Sequence, residues 1–252
     1  MDSYENILQV SDLIGGYSRR HPILHELTFH VAPGEVVGLV GLNGAGKSTT
    51  IKHILGLLEP IQGEILIKGQ TRRTSKERYH TALSYVPETP LLYEQLTLWE
   101  HMEFMALSYQ LDRAELNQRA TELMEQFNMK KMKDWLPERF SKGMKQKVMI
   151  MNALLAQPAM YIIDEPFVGL DPQAIHALLE QLKMEKQRGA GIFMSTHILA
   201  TVEHFCDRFI LLHEGRILLQ GTLSDWRKQT GLAEASLDEI FMTVTEVDRH
   251  ES

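Results

Sequence analysis

Short apolar runs alternate with amphipathic stretches along most of the chain. Residues 6–13 and 22–31 alternate apolar and polar positions and are broken by Gly15-Gly16 and Pro22, which predicts two half-buried strands. Pro33-Gly34 turns the chain into Glu35–Val40, a run apolar on both faces, as in a strand inside a parallel sheet. A helix is expected from Gly46 to about Leu57, followed by strands over Gly63–Lys68 and Thr81–Val86.

The period then changes. Leu98, Met102, Met105 and Tyr109 recur at helical spacing. So do Leu116, Ala120, Leu123 and Phe127, in a helix that Asp112 is placed to N-cap. A helical lobe of about 90–155 is expected between sheet strands. Ala159–Ile163 returns to the sheet, and Asp171-Pro172 starts a helix carrying Ile175, Leu178, Leu179 and Leu182 on one face. Gly191–Ser195 reads as a strand, and Phe209–Leu212 with Arg216–Gln220 reads as a hairpin turning at Glu214-Gly215. A short helical tail is expected over 222–252, with Leu237, Ile240 and Phe241 on the apolar face of a helix from Ser236. Strands and helices alternating around a Gly-rich turn predict an α/β architecture.

Composition adds limits. With 252 residues, 44% hydrophobic and 23% charged, the chain has the make-up of an ordinary globular protein. No apolar run approaches the roughly 20 residues needed to cross a bilayer. The acidic, polar start Met1-Asp2-Ser3-Tyr4-Glu5 has no signal-peptide pattern. The single cysteine, Cys206, makes no internal disulfide and fits a reducing cytoplasm. A net charge of −7 leaves no footprint for nucleic acid, and no such partner is expected.

Two stretches carry chemistry. Gly41-Leu42-Asn43-Gly44-Ala45-Gly46-Lys47-Ser48-Thr49 fits G-x-x-x-x-G-K-[ST]. Small residues let backbone N–H groups turn inward around a polyphosphate, at the positive end of the helix that follows. Lys47 is expected to reach the β/γ phosphates of ATP and Ser48 to ligate Mg²⁺. Met160–Ile163 is an apolar strand ending in Asp164-Glu165. Asp164 is expected to hold Mg²⁺, and Glu165 to orient or deprotonate the attacking water. Between the two stretches lies Phe140-Ser141-Lys142-Gly143-Met144-Lys145-Gln146, a Ser-x-Gly segment opening a helix. On its own it reads as an ordinary basic helix start.

Together and in this order, the segments resemble the ATP-binding subunit of ABC (ATP-binding-cassette) transporters, over nearly the whole chain. The resemblance implies a P-loop NTPase core of ABC type over 1–252, an N-terminal antiparallel β subdomain and an inserted helical lobe. Phe140–Met144 stands where the family carries Leu-Ser-Gly-Gly-Gln, which implies that Ser141, Lys142 and Gly143 contact nucleotide. Lys142 replaces the first glycine of that motif and Met144 the glutamine. Gly169-Leu170-Asp171 resembles the D-loop. Ser195-Thr196-His197 resembles the switch segment, giving His197 a catalytic contact. Tyr17 stands where an aromatic residue stacks on adenine. Glu88, in Tyr85-Val86-Pro87-Glu88, stands where many relatives have a metal-contacting glutamine. These departures resemble the subgroup of one-domain ATPases that serve separately encoded export-type permeases, and Tyr85–Pro90, Phe140–Met151 and Tyr161–Phe167 together resemble its Ecs-type members.

The resemblance implies a homodimer around two ATP, peripheral at the cytoplasmic face of the membrane and bound to an integral membrane permease. Leu91, Leu92 and Tyr93 either meet that permease or pack under the lobe. A soluble ABC-type ATPase acting on a ribosomal or nucleic-acid partner is the alternative, and a small-molecule kinase a third reading.

Overall fold

The computed structural model describes residues 5–251, with 246–251 as helix backbone alone. β1 (Leu8–Gly15) and β2 (Leu24–Val31) pair antiparallel, with Leu8 opposite Val31 and Val10 opposite Phe29. β3 (Val36–Val40) leaves for a second sheet, and α1 (Lys47–Ile54) follows it. α1 ends earlier than the expected Leu57, because the Gly56 amide bonds the His53 carbonyl at 2.9 Å and closes the last turn. β4 (Gln62–Ile67) returns to pair β1, completing the antiparallel order β2-β1-β4. The inward sides of these strands bury Leu8, Val10, Leu13, Leu27, Phe29 and Ile65 against Ile51 and Ile54 of α1.

The strand expected from Thr81 begins only at Leu83. Lys76–Thr81 coils into α2 instead and buries Tyr79, whose hydroxyl donates to the Ile54 carbonyl at 2.6 Å. β5 (Leu83–Val86) then leads into α3 (Leu98–Ser108), α4 (Arg113–Gln126), two 3₁₀ turns and α5 (Lys142–Ala156). Asp112 caps α4: its carboxylate accepts from the Glu115 amide at 2.8 Å. Leu116, Ala120, Leu123 and Phe127 are all buried. α3 has its own capping box at Thr97 and Glu100, which sequence reading passed over.

β6 (Met160–Asp164), α6 (Pro172–Gln187), β7 (Gly191–Ser195), α7 (Leu199–Val202), β8 (Arg208–His213) and β9 (Arg216–Gly221) follow. The larger sheet has the order β5-β6-β7-β3-β8-β9, parallel throughout except for the β8–β9 hairpin. β7 lies between β3 and β6, with Leu39 and Asp164 both opposite Ser195. The loops that leave β3, β6 and β7 therefore emerge side by side at the carboxyl edge of the sheet, where ligands of open α/β folds bind. α8 (Leu223–Thr230) buries Trp226, and α9 (Leu237–Glu251) buries Leu237, Ile240 and Phe241. Ser236 and Glu239 form reciprocal hydrogen bonds that fix the start of α9. Among the described residues no helix is long and apolar enough to cross a membrane.

Candidate nucleotide-hydrolysis site

The Gly41–Thr49 loop joins β3 to α1. Gly46 is the N-cap of α1 with φ 109°, a backbone conformation that an L side chain adopts only under strain. The turn is tightened by Ala45 N–H to the Leu42 carbonyl at 3.1 Å, and tied to the β8–β9 turn by Gly215 N–H to the Ala45 carbonyl at 2.9 Å. The Lys47 ammonium is buried and donates to the Gly41 and Leu42 carbonyls at 2.8 and 3.2 Å. Burial lowers its pKa, and the carboxylates of Glu165, Asp164 and Glu88 oppose that shift. A cation poorly hydrated and facing three acids is primed to exchange carbonyl contacts for a phosphate.

At the end of β6, Asp164 is buried and its Oδ1 accepts from Ser195 Oγ. Glu165 N–H donates to the carbonyl of Ser195 at 3.1 Å and to its Oγ at 3.2 Å. Glu165 sits in the left-handed region with φ 47°. Its Oε2 accepts from the His197 amide at 3.2 Å and lies 2.7 Å from His197 Nδ1. β7 thus orients both acids of the neighbouring strand.

These loops bound a cleft of about 590 Å³ lined by Gly41, Leu42, Asn43, Gly44, Gly46, Lys47, Ser48, Thr49, Glu88, Asp164, Glu165 and His197. No described group of three or more His, Cys, Asp or Glu side chains forms a metal cage of its own. The hard oxygens of Ser48, Asp164 and Glu88 at one cleft fit Mg²⁺, which is usually held by one or two carboxylates together with substrate phosphates.

Other expected site residues lie elsewhere. Ala45 is buried behind the loop and does not line the cleft. Tyr17 is exposed beside α1: Lys52 Nζ donates to its hydroxyl at 2.9 Å and lies 5.1 Å from its ring centroid. Ser141, Lys142 and Gly143 open α5 outside the cleft. Ser141 is the N-cap, its Oγ accepting from the Met144 amide at 3.2 Å. Gly143 is forced by close approach, since a Cβ there would stand 2.4 Å from the Gly169 carbonyl oxygen. Lys147 Nζ bonds Asp171 at 2.7 Å, so the first turns of α5 are fastened to the Gly169–Asp171 turn.

Residues 24–168 match the family model described as ABC transporter. The chain belongs to the ABC transporter family. It is 52% identical over 243 residues to the ABC-type transporter ATP-binding protein EcsA of Bacillus subtilis, covering 96% of this chain and 98% of that protein. It is 33% identical to the SkfA peptide export ATP-binding protein SkfE of the same organism, over 88% of this chain and 95% of the relative. A solved ATP-binding subunit of an ABC transporter superposes with a TM-score of 0.93 at 53% identity, over 95% of this chain and 99% of that one. The structure of cbiO1 from Clostridium perfringens, described as part of the ABC transporter complex cbiONQ, superposes with a TM-score of 0.75 at 27% identity, over 96% of this chain and 100% of that one.

An ABC transporter ATPase therefore accounts for the chain, and the small-molecule kinase reading falls away. Several parts of its cleft escaped sequence reading. In the sequence Ser195 marks only a strand end and the residue two before His197, yet its hydroxyl donates to Asp164. Ile23, Leu199, Asp238 and Phe241 also line the cleft. The last two stand on α9, far along the chain, and no local pattern marks them.

Proposed function

We propose that two copies of this ATPase close head to tail around two ATP molecules and drive a separate export-type membrane permease from the cytoplasmic face. The observation that carries this reading is the division of the site. Lys47, Ser48, Asp164, Glu165 and His197 share one cleft, while Ser141, Lys142 and Gly143 stand on α5 outside it. A two-fold axis brings the helix end of each copy to the cleft of the other, so one set of residues completes both sites.

In each site the loop amides of Gly41–Ser48 and the Lys47 ammonium bind the β/γ phosphates. Ser48, Asp164 and Glu88 would hold Mg²⁺, which would neutralise charge developing on the phosphate oxygens. Tyr17 stacks on adenine. Glu165 Oε1 takes a proton from water as the water oxygen bonds to the γ-phosphorus and the bond from that phosphorus to the ADP oxygen breaks. His197 holds Glu165 through Oε2 and faces the γ-phosphate with the rest of its ring. The partner's Ser141 hydroxyl and Lys142 and Gly143 amides bind the same γ-phosphate, so its loss removes the bridge between copies.

The permease meets the segment after β5 and the outer side of α3. Leu91 and Leu107 are 76% and 77% exposed, and Tyr93 stacks edge-on against exposed Phe104 with centroids 5.5 Å apart. Leu92 packs inward against the core. The packing of Leu92 removes it from that surface, and the exposure of Leu91 and Tyr93 supports docking through those two.

Glu165→Gln tests the reading. ATP binding should persist while turnover falls by at least about 10³-fold, and ATP should shift the variant to a dimer in light scattering. Hydrolysis at the unsubstituted rate would remove Glu165 as base; a monomer at saturating MgATP would remove the shared site.

A further inference from the structure

Gln146 lies on α5, one turn past Gly143, and is 1% exposed. Its Nε2 donates to the Pro87 carbonyl at 3.2 Å, across 59 residues of chain. Its Oε1 is equally buried and has no hydrogen-bond partner. Burying an amide with one end unsatisfied is costly, and an apolar side chain of the same length would fill the space without that cost. The bond that is made does not belong to any helix or strand ladder. It ends on the backbone of the residue before Glu88, which lines the nucleotide cleft. A second tie runs parallel: Lys145 Nζ lies 3.6 Å from Glu94, just beyond the exposed Leu91 and Tyr93. Two consecutive residues of α5 thus hold the two ends of the segment 87–94.

We propose that Gln146 is a positioning residue that makes the opening turn of α5 and the 87–93 segment one rigid body. It touches neither nucleotide nor metal. Through Pro87 it fixes where Glu88 stands in the cleft. Through α5 it fixes the end that carries Ser141 and Gly143. Under the proposed function, a displacement of the helix end by the partner's nucleotide is then delivered to the permease-facing loop without loss. This last consequence rests on that reading; the rigid coupling does not.

Spin labels on Leu91→Cys and Lys142→Cys, in a full chain with Cys206→Ala, read the coupling directly. The label-to-label distance distribution should be single and narrow, and should widen or split when Gln146→Met removes the donor at unchanged length. Gln146→Glu, which faces the Pro87 carbonyl with an acceptor, should widen it too, and serves if the methionine variant does not fold. A distribution unchanged in a folded variant overturns the proposal. In unlabelled chains, Gln146→Met should lower kcat about fivefold while KM for ATP moves less than about twofold. A change confined to KM would also overturn it. Failure of the unsubstituted chain to hydrolyse ATP would remove the functional reading and leave the distance result standing.

Discussion

Glu165 holds φ at 47°, a conformation that costs a non-glycine residue of the order of 1 kcal/mol. The amide bonds to Ser195 and the paired contacts to His197 keep it there. The turn swings Glu165 out of line with the strand, so that Asp164 and Glu165 both reach the cleft from consecutive positions. Ser195 serves both acids, and its replacement isolates their positioning from their charge. Ser195→Ala should lower turnover about tenfold and raise the Mg²⁺ concentration needed for half-maximal rate. Thermal stability should fall by about 1–2 kcal/mol, because Asp164 loses a buried hydrogen bond. An unaltered metal dependence would show that Asp164 needs no help from β7. At this scale the phosphate loop and the acidic pair were legible because each is contiguous in sequence. The Ser195 contact was not, because it joins adjacent parallel strands 31 residues apart.

Among elements, the start of β3 is held by charge. Glu35 accepts from the Ala32 amide at 2.8 Å and from Arg208 Nη2 at 3.1 Å. Burial raises the Glu35 pKa, but Arg208 and the Ala32 amide outweigh it and the net shift is downward. A carboxyl with a lowered folded-state pKa contributes stability above its unfolded value near 4.5, and loses it as pH falls through the folded value. Glu35→Gln should therefore cost about 1–2 kcal/mol at pH 7, with the gap from the unsubstituted chain closing in acid below the ordinary carboxylate range. Equal destabilisation across that range in denaturant titrations would argue against the ionic contact. The contact of α5 with the Gly169 carbonyl makes a sharper case. Gly143→Ala should push that turn away and abolish ATP-driven dimerisation while nucleotide binding by the monomer persists; fluorescence of a bound ATP analogue and light scattering separate the two. Helices α4 and α6 were readable from Asp112 and Asp171 because a cap and a stripe agree within one stretch. α2 leaves no mark in the sequence beyond its last residue, Thr81, which falls in the expected strand: Tyr79 is its one buried side chain, too few to display a period.

The molecule as a whole assembles its cleft from widely separated parts. The loops after β3, β5, β6 and β7 meet there because the sheet order places β7 between β3 and β6. α9 adds a wall with Asp238 and Phe241, and its Leu237 amide donates to Glu203 at 2.9 Å, just after α7. Sequence reading placed a helix here but gave it no place at the cleft, since that contact depends on how the chain ends fold back. One consequence of the Ser141–Gly143 turn lying outside its own cleft is kinetic. Under the proposed function an isolated chain cannot complete a site, so hydrolysis in dilute solution should be second order in protein: turnover per chain should rise with chain concentration until dimers saturate. A permease holding two copies replaces that encounter with an effective concentration of the order of millimolar. Rate per chain in the complex should then be independent of dilution, and measurements of both preparations across a hundredfold dilution series would separate a shared site from a self-sufficient one. The membrane partner would in this way decide where ATP is consumed, because chains diffusing singly at low concentration would leave it almost untouched.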